Sequence, residues 1–182
     1  MAGPSNTSDC ALVAVLPGRL RVGFRGIQQK LLEDTWELIS AVREPTHFTI
    51  ANFRVADDDL CAFMGSLRNV VKQFSEPYNG LYCNFSGSVT QDKRLGARLA
   101  GGSQDIDALY EQLHVNLKRF IRTKDSTMVP HVVLFGHVPE SFEPVVAGFD
   151  NVFMGGGVLH QFELRRKSSC INDNGIISIF TI

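Results

Sequence analysis

The sequence has little of what would assign a function at once. Its 182 residues contain four cysteines, and none of these has CxxC spacing or a histidine pattern that would bind zinc. We therefore expect free thiols in a reducing compartment, and no metal site. No apolar run approaches the roughly 20 residues that a membrane-spanning helix needs. The opening residues, MAGPSNTSD, are small and polar and differ from a signal peptide. These absences favour a soluble, cytoplasmic protein.

An excess of charge of either sign is also absent. The chain has 18 Lys and Arg residues against 19 Asp and Glu residues, which gives a formal net charge of −1 at pH 7. A long polyanion would therefore meet no global positive field. A local pocket can still be positive on a neutral protein, so the expected partner is a small nucleotide or a short oligonucleotide. We expect no cofactor, no membrane partner and a monomer.

Hydrophobic periodicity predicts alternating strands and helices. Helices are predicted over 26–42, 56–74 and 103–121. Strands are predicted at 11–18, 44–55, 78–100 (two strands), 129–138, 145–168 (one or two strands) and 175–182. The acidic run at 57–59 suits a helix N-terminus, and the glycine triplet at 155–157 suggests a turn. A strand–helix–strand unit occurs about twice, and each copy ends in a strand that carries a histidine.

These two histidines are the candidates for catalysis. His47 lies in THFTI and His131 in PHVVL. Because side chains alternate along a strand, Thr49 shares a face with His47, and Val133 shares a face with His131. Two imidazoles facing one cleft could act as acid and base in one turnover, since histidine titrates closest to neutral pH. The Thr49 hydroxyl could donate to a phosphate oxygen, whereas valine has no donor.

With these motifs, the chain resembles the two-histidine phosphoesterases, which include 2′-5′ RNA ligase-like proteins and 2′,5′-phosphodiesterases. HFT at 47–49 matches the family's H-x-T/S motif, and PHVVL matches its second motif except at Val133. ALVAVLP resembles the family's first strand. The resemblance implies an α+β, bilobal fold with two pseudo-symmetric, antiparallel-rich sheets, outer helices and a central cleft. We expect 1–10 to be a flexible N-terminus and 11–182 to form a single bilobal domain.

The resemblance also implies a function. His47 and His131 would be the acid–base pair of a metal-independent phosphodiesterase, and Thr49 would bind a substrate phosphate. The implied substrate is of RNA type: a 2′,5′-oligoadenylate or a 2′,3′-cyclic phosphate. Val133 is the motif position without a hydroxyl and leaves two alternatives open. One is a nucleotide- or RNA-binding pseudoenzyme, and the other is a phage- or viral-type protein that degrades cyclic oligonucleotides.

Further residues are candidates for contacts with a base or a phosphate. An RNA-type site commonly adds an aromatic platform for a base. The aromatic candidates are Tyr78, Tyr82, Phe85 and Phe153. Arg165 and Arg166, in the basic run LRRKS, lie on opposite faces of a predicted strand, and either could contact a phosphate. The remaining histidines are interpreted as structural or surface residues: His114, His137 and His160.

Overall fold

Strands and helices alternate along the chain in the computed structural model, which describes residues 6–35, 40–41, 45–75, 79–91, 93–100, 103–120, 131–139, 155–166 and 175–181. The α-helices of the described residues are α1 (Gly18–Thr35), α2 (Leu60–Ser75) and α3 (Ser103–Leu117). The strands are β1 (Thr7–Val15), β2 (Ser40–Ala41), β3 (His47–Ala56), β4 (Leu81–Gln91), β5 (Arg94–Leu99), β6 (His131–His137), β7 (Gly155–Leu159), β8 (Gln161–Arg166) and β9 (Ile176–Thr181).

The strands form two antiparallel sheets. The first sheet has four strands in the order β3-β1-β8-β9, and the second has five in the order β2-β6-β5-β4-β7. All the described strand pairs are antiparallel. The histidine-bearing strands β3 and β6 belong to different sheets, yet they approach each other closely. The predicted α+β fold with two antiparallel sheets is confirmed, and its topology brings the two histidine-bearing strands into contact.

One aromatic cluster joins the two sheets. Phe48 of β3 packs edge-on against Phe85 of β4, with ring centroids 5.6 Å apart. Phe24 of α1 meets Phe85 in the same way at 5.4 Å. All three rings are buried, and burying such a side chain contributes roughly 1.5–3 kcal/mol. Because side chains alternate, the residues next to Phe48 along β3 point away from this core.

Helices α2 and α3 pack against each other beside the first sheet. Phe63 of α2 contacts Phe53 of β3 and Phe120, which follows α3, with ring centroids 5.1 and 5.9 Å away. The buried apolar face of α2 agrees with the periodicity that predicted this helix. Among the described helices, none has both the length and the apolar content to span a membrane.

The first strand and first helix differ from prediction. β1 begins at Thr7, so Thr7–Cys10, predicted to be flexible, pair instead with β3. Helix α1 begins at Gly18 rather than residue 26, because the Pro17 carbonyl accepts the first helical hydrogen bonds. The first half of α1 contains several arginines and glycines, so its apolar residues show no clear helical periodicity in the sequence. Residues 40–41, placed in the predicted helix, form β2 and pair with β6.

The glycine triplet is a strand, which corrects the prediction of a turn. Gly155, Gly156 and Gly157 form most of β7 and pair with β4. A Cβ at Gly157 would lie 3.2 Å from Pro17 and 3.3 Å from Leu20. The missing side chains therefore allow the start of α1 to pack directly on the edge strand of the second sheet.

The prediction of free thiols is confirmed for the cysteines that the structure describes. Cys10, Cys61 and Cys83 are free, and Cys170 lies outside the described residues. Burial raises the pKa of the Cys10 thiol to about 11 and that of the Cys83 thiol to about 12. These two thiols are therefore protonated at neutral pH and are poor nucleophiles.

Candidate active site

The first histidine stands at the start of β3, on the face that points away from the aromatic core. His47 lies opposite Val15 of β1 and is half-buried. The Thr46 hydroxyl oxygen is 2.9 Å from its Nδ1. Thr49, two residues along β3, is half-buried on the same face. The structure thus places the HFT motif as the sequence predicted.

Three side chains of β8 line up on this same face of the first sheet. Glu163 and Arg165 of β8 pair with residues of β1, and those β1 residues pair on their other side with β3. The row of side chains on this face therefore continues across the sheet to His47. Nε and Nη2 of Arg165 donate to Glu163 Oε2 at 2.9 and 2.6 Å, and Gln161 Nε2 donates to Glu163 Oε1 at 2.9 Å. The remaining terminal nitrogen of Arg165, Nη1, lies 3.1 Å from Nδ1 and 3.2 Å from Nε2 of His47.

This environment decides the charge of His47. Burial is the largest influence, and the Arg165 guanidinium is the next; together they lower the pKa of His47 from 6.5 to about 4, against an opposing effect of Glu163. Both influences disfavour the imidazolium because they penalise a positive charge. At neutral pH the ring is therefore uncharged, and its nitrogen without a hydrogen can act as an acceptor.

The second histidine begins β6. His131 pairs with Arg98 and Val133 with Gly96, both on β5. His131 and Val133 are half-buried, whereas Val132 between them is fully buried, so the two motif residues share the face away from the core. A Cβ at Gly96 would clash first with the Val132 carbonyl oxygen and would also lie 2.8 Å from Cδ2 of His131. Gly96 therefore gives the His131 ring the space that it occupies.

The other candidate residues have different outcomes. Phe85 is wrong as a base platform because it is fully buried between Phe24 and Phe48. Tyr82 is 53% exposed, so its ring is available for stacking. Arg166 is exposed and points to the face opposite Arg165, so it does not join the group around His47. Tyr78 and Phe153 lie outside the described residues.

Tyr82 contributes to a pocket beside the first helix. This pocket has a volume of about 520 Å³, and Arg19 and Gly23 of α1 lie in its wall together with the glycines of β7. A second pocket of about 220 Å³ lies on α1, beside Arg21, Arg25 and Pro45. The described lining of neither pocket includes His47 or His131. Where the structure describes their lining, both pockets are therefore separate from the two histidine motifs.

Sequence reasoning missed the residues that support the two histidines. Glu163 and Gln161 could have been found from the alternation in QFELRR, which puts them on the face of Arg165. Gly96 and Arg98 carry no local signal, because their closeness to His131 depends on strand pairing. Among the described residues, no group of three or more His, Cys, Asp or Glu side chains could hold a metal ion.

Comparison with known proteins identifies the fold. No protein-family model matches the sequence, and no curated protein matches it significantly. The crystal structure of E. coli LigT with 3'-AMP is similar with a TM-score of 0.66 and 12% identity, covering 97% of this chain and 99% of LigT. The MHV ns2 PDE domain is similar with a TM-score of 0.58 and 14% identity, covering 88% of this chain and 99% of that domain.

A third similar structure comes from a thermophile. TT0787 of Thermus thermophilus matches with a TM-score of 0.59 and 13% identity, over 95% of this chain and 97% of that one. At these identities the likeness is one of fold. The fold predicted from the two histidine motifs, that of the two-histidine phosphoesterases, is confirmed.

Proposed function

We propose that this protein is a phosphodiesterase in which His47 and His131 form a metal-independent acid–base pair. The observation that carries the proposal is the equivalent placement of the two histidines. Each stands at the start of a strand, on the face away from the core, and the two strands approach each other. Among proteins of the same fold, one is described as a phosphoesterase and another as a PDE domain, which supports this chemistry.

The proposed reaction follows from the state of His47. As a neutral imidazole, His47 takes a proton from the attacking water or hydroxyl while the new P–O bond forms. His131 gives a proton to the oxygen that leaves as the old P–O bond breaks. The Thr49 hydroxyl and the Arg165 guanidinium donate to the phosphoryl oxygens and stabilise their charge. The two histidines then return to their starting states by proton exchange with water.

The proposed substrate is a small RNA-type molecule, a 2′,5′-oligoadenylate or a 2′,3′-cyclic phosphate. LigT, which shares the fold, has been crystallised with 3'-AMP, ATP and NADP+, so this fold accommodates small nucleotides. The balanced net charge of the chain also favours a short ligand over a long polyanion. Tyr82 is the exposed aromatic ring proposed to stack with a base.

A substrate panel tests the proposal. We would incubate the protein in EDTA with 2′,5′-oligoadenylate, 3′,5′-linked RNA, 2′,3′-cyclic nucleotides and cyclic oligonucleotides, and identify the products by chromatography. We expect cleavage of one class, and loss of at least about 100-fold in rate in His47→Ala and in His131→Ala. His160→Ala is the matched control, because His160 is exposed outside the site. Cleavage that survives both site substitutions would contradict the proposal.

Val133 favours a second candidate, a nucleotide-binding protein without turnover. Its position lacks the hydroxyl that Thr49 offers on β3, so one phosphate contact is missing from the site. This candidate predicts that no member of the panel is cleaved. It also predicts that calorimetry detects nucleotide binding, and that this binding is weaker in Thr49→Val. A folded protein that neither binds nor cleaves any member of the panel would exclude both candidates.

A further inference from the structure

Hydrogen bonds to Glu163 hold the guanidinium of Arg165 on one side. Two of its nitrogens, Nε and Nη2, donate to one oxygen of Glu163 at 2.9 and 2.6 Å, and the other oxygen accepts from Gln161 at 2.9 Å. Glu163 is 5% exposed, so its carboxylate cannot turn away without losing these charge-assisted hydrogen bonds in a buried place. These hydrogen bonds therefore fix where the remaining nitrogen, Nη1, points.

Nη1 lies over the ring of His47. It is 3.1 Å from Nδ1 and 3.2 Å from Nε2, and these two nitrogens flank the Cε1 carbon. An atom in the ring plane at such equal distances would overlap Cε1, so Nη1 must lie above the plane. The lone pair of a neutral imidazole lies in the plane. The cation therefore disfavours protonation of the ring without covering the lone pair.

On the basis of the function proposed above, we propose that Gln161 and Glu163 position Arg165 over His47 so that His47 is the base of the reaction, and that a substrate phosphate then takes over the Nη1 group of Arg165. It follows that His131 is the acid in the same step. Gln161 and Glu163 are positioning residues, whereas Arg165 touches the substrate. Arg165 also supplies a phosphate donor to a site that lacks one at Val133.

The charges around His47 support this assignment. Among the described side chains, β8 brings Arg165 and Glu163 to the ring, β1 presents the apolar Val15, and the nearby β6 carries His131. The Thr46 hydroxyl lies 2.9 Å from Nδ1, so an Nδ1–H can donate to it and leave the Nε2 lone pair free. A bound phosphate would offset the charge of Arg165, which raises the proton affinity of His47 when the base is needed.

An NMR titration of the His47 ring is the direct test, because it needs no turnover. The variants are Arg165→Met and the double variant Glu163→Gln/Arg165→Met, which leaves no buried charge unpaired. We expect the His47 pKa to be lowest in the wild type and highest in Arg165→Met, where it rises by about one unit. The double variant should lie between them, since it also loses the opposing effect of Glu163. If Arg165→Met fails to fold, the double variant carries the comparison.

Arg54→Met is the matched control. Arg54 pairs with Asp9 at 2.7 Å at the far end of β3, so its loss removes an ion pair from the same sheet without touching His47. The His47 pKa should be unchanged in this variant. If Arg165→Met and the double variant behave like this control, the proposal is overturned.

Inorganic phosphate provides a second arm of the titration. Phosphate should raise the His47 pKa in the wild type and have little effect in the variants that lack Arg165. If phosphate raises the His47 pKa equally with and without Arg165, the proposal that a substrate phosphate binds Nη1 of Arg165 is overturned. The expected titration in a protein that cleaves no substrate would overturn the base role and the proposed function, and would leave Arg165 as the phosphate contact of a binding protein.

Discussion

At the scale of single residues, Val133 breaks the equivalence of the two motifs. Valine and threonine have nearly the same shape, so Val133→Thr adds a hydroxyl without changing the packing volume. A hydrogen bond to a charged group contributes about 1.5–3 kcal/mol. If the bond forms only in the transition state, kcat should rise by about 10- to 150-fold. The measurement is steady-state kinetics on the substrate that the panel identifies.

The control for this substitution is Val115→Thr. Val115 is 71% exposed on α3, outside both sheets, so the kinetics of this variant should match the wild type. A fall in kcat for Val133→Thr, or no change, would mean that Val133 packs against something other than a phosphate.

The same scale shows how far a sequence can predict a site. His47, Thr49 and His131 were predicted because each needs only a short motif and the alternation of a strand. The environment that lowers the pKa of His47 was not predictable, because Arg165 reaches His47 across β1, and this pairing of distant segments is a property of the sheet order. Phe85 was wrongly predicted as a site residue. It is fully buried, and the sequence alone does not reveal whether an aromatic side chain faces solvent or the core.

At the scale of elements, substitution of glycine by alanine should have opposite effects on stability at two positions. Gly80, in the turn between α2 and β4, has φ +120°, and a Cβ there would lie 2.8 Å from the Leu159 carbonyl oxygen. Gly26, within α1, has open space around it. Gly80→Ala should lower the free energy of unfolding by about 2 kcal/mol or more, because it forces a strained backbone and a clash. Gly26→Ala should raise it by about 0.5–1 kcal/mol through helix propensity.

Urea unfolding of both variants measures these changes. The two variants serve as each other's control, since both add one methyl group. Changes of the same sign would show that the turn before β4, or the exposure of α1, differs from the structure.

The strongly periodic elements were also the ones that the sequence predicted well. The apolar faces of α2 and α3 lie where the spacing placed them. Helix α1 and strand β7 were missed in part because their residues are arginine- and glycine-rich, and their packing on each other replaces the missing apolar signal. Leu20 lying against the glycines of β7 is a tertiary contact that no local pattern contains.

At the scale of the whole molecule, the two sheets share one aromatic core, and the two histidines lie on strand faces that point away from it. The core holds Phe48 of one sheet against Phe85 of the other, directly behind His47. Because interiors of this kind are close-packed, the relative position of β3 and β6 is fixed by the core rather than by the site. The site can therefore hold Arg165 against His47, an arrangement that costs stability only when the pH is low enough to protonate the unfolded histidine.

This arrangement predicts a specific acid sensitivity. In the unfolded chain His47 would titrate near its ordinary pKa of 6.5, whereas in the folded protein its pKa is about 4. Between these pH values the unfolded state binds more protons at His47 than the folded state does. The contribution of His47 to the free energy of unfolding is therefore at its maximum above pH 6.5 and falls as the pH drops towards 4. The gap corresponds to about 3 kcal/mol. Urea unfolding at pH 7.5 and pH 4 should show this loss in the wild type and a smaller loss in His47→Gln, because the other titrating groups are common to both proteins. Equal losses in the two proteins would show that His47 is not held neutral by burial and Arg165.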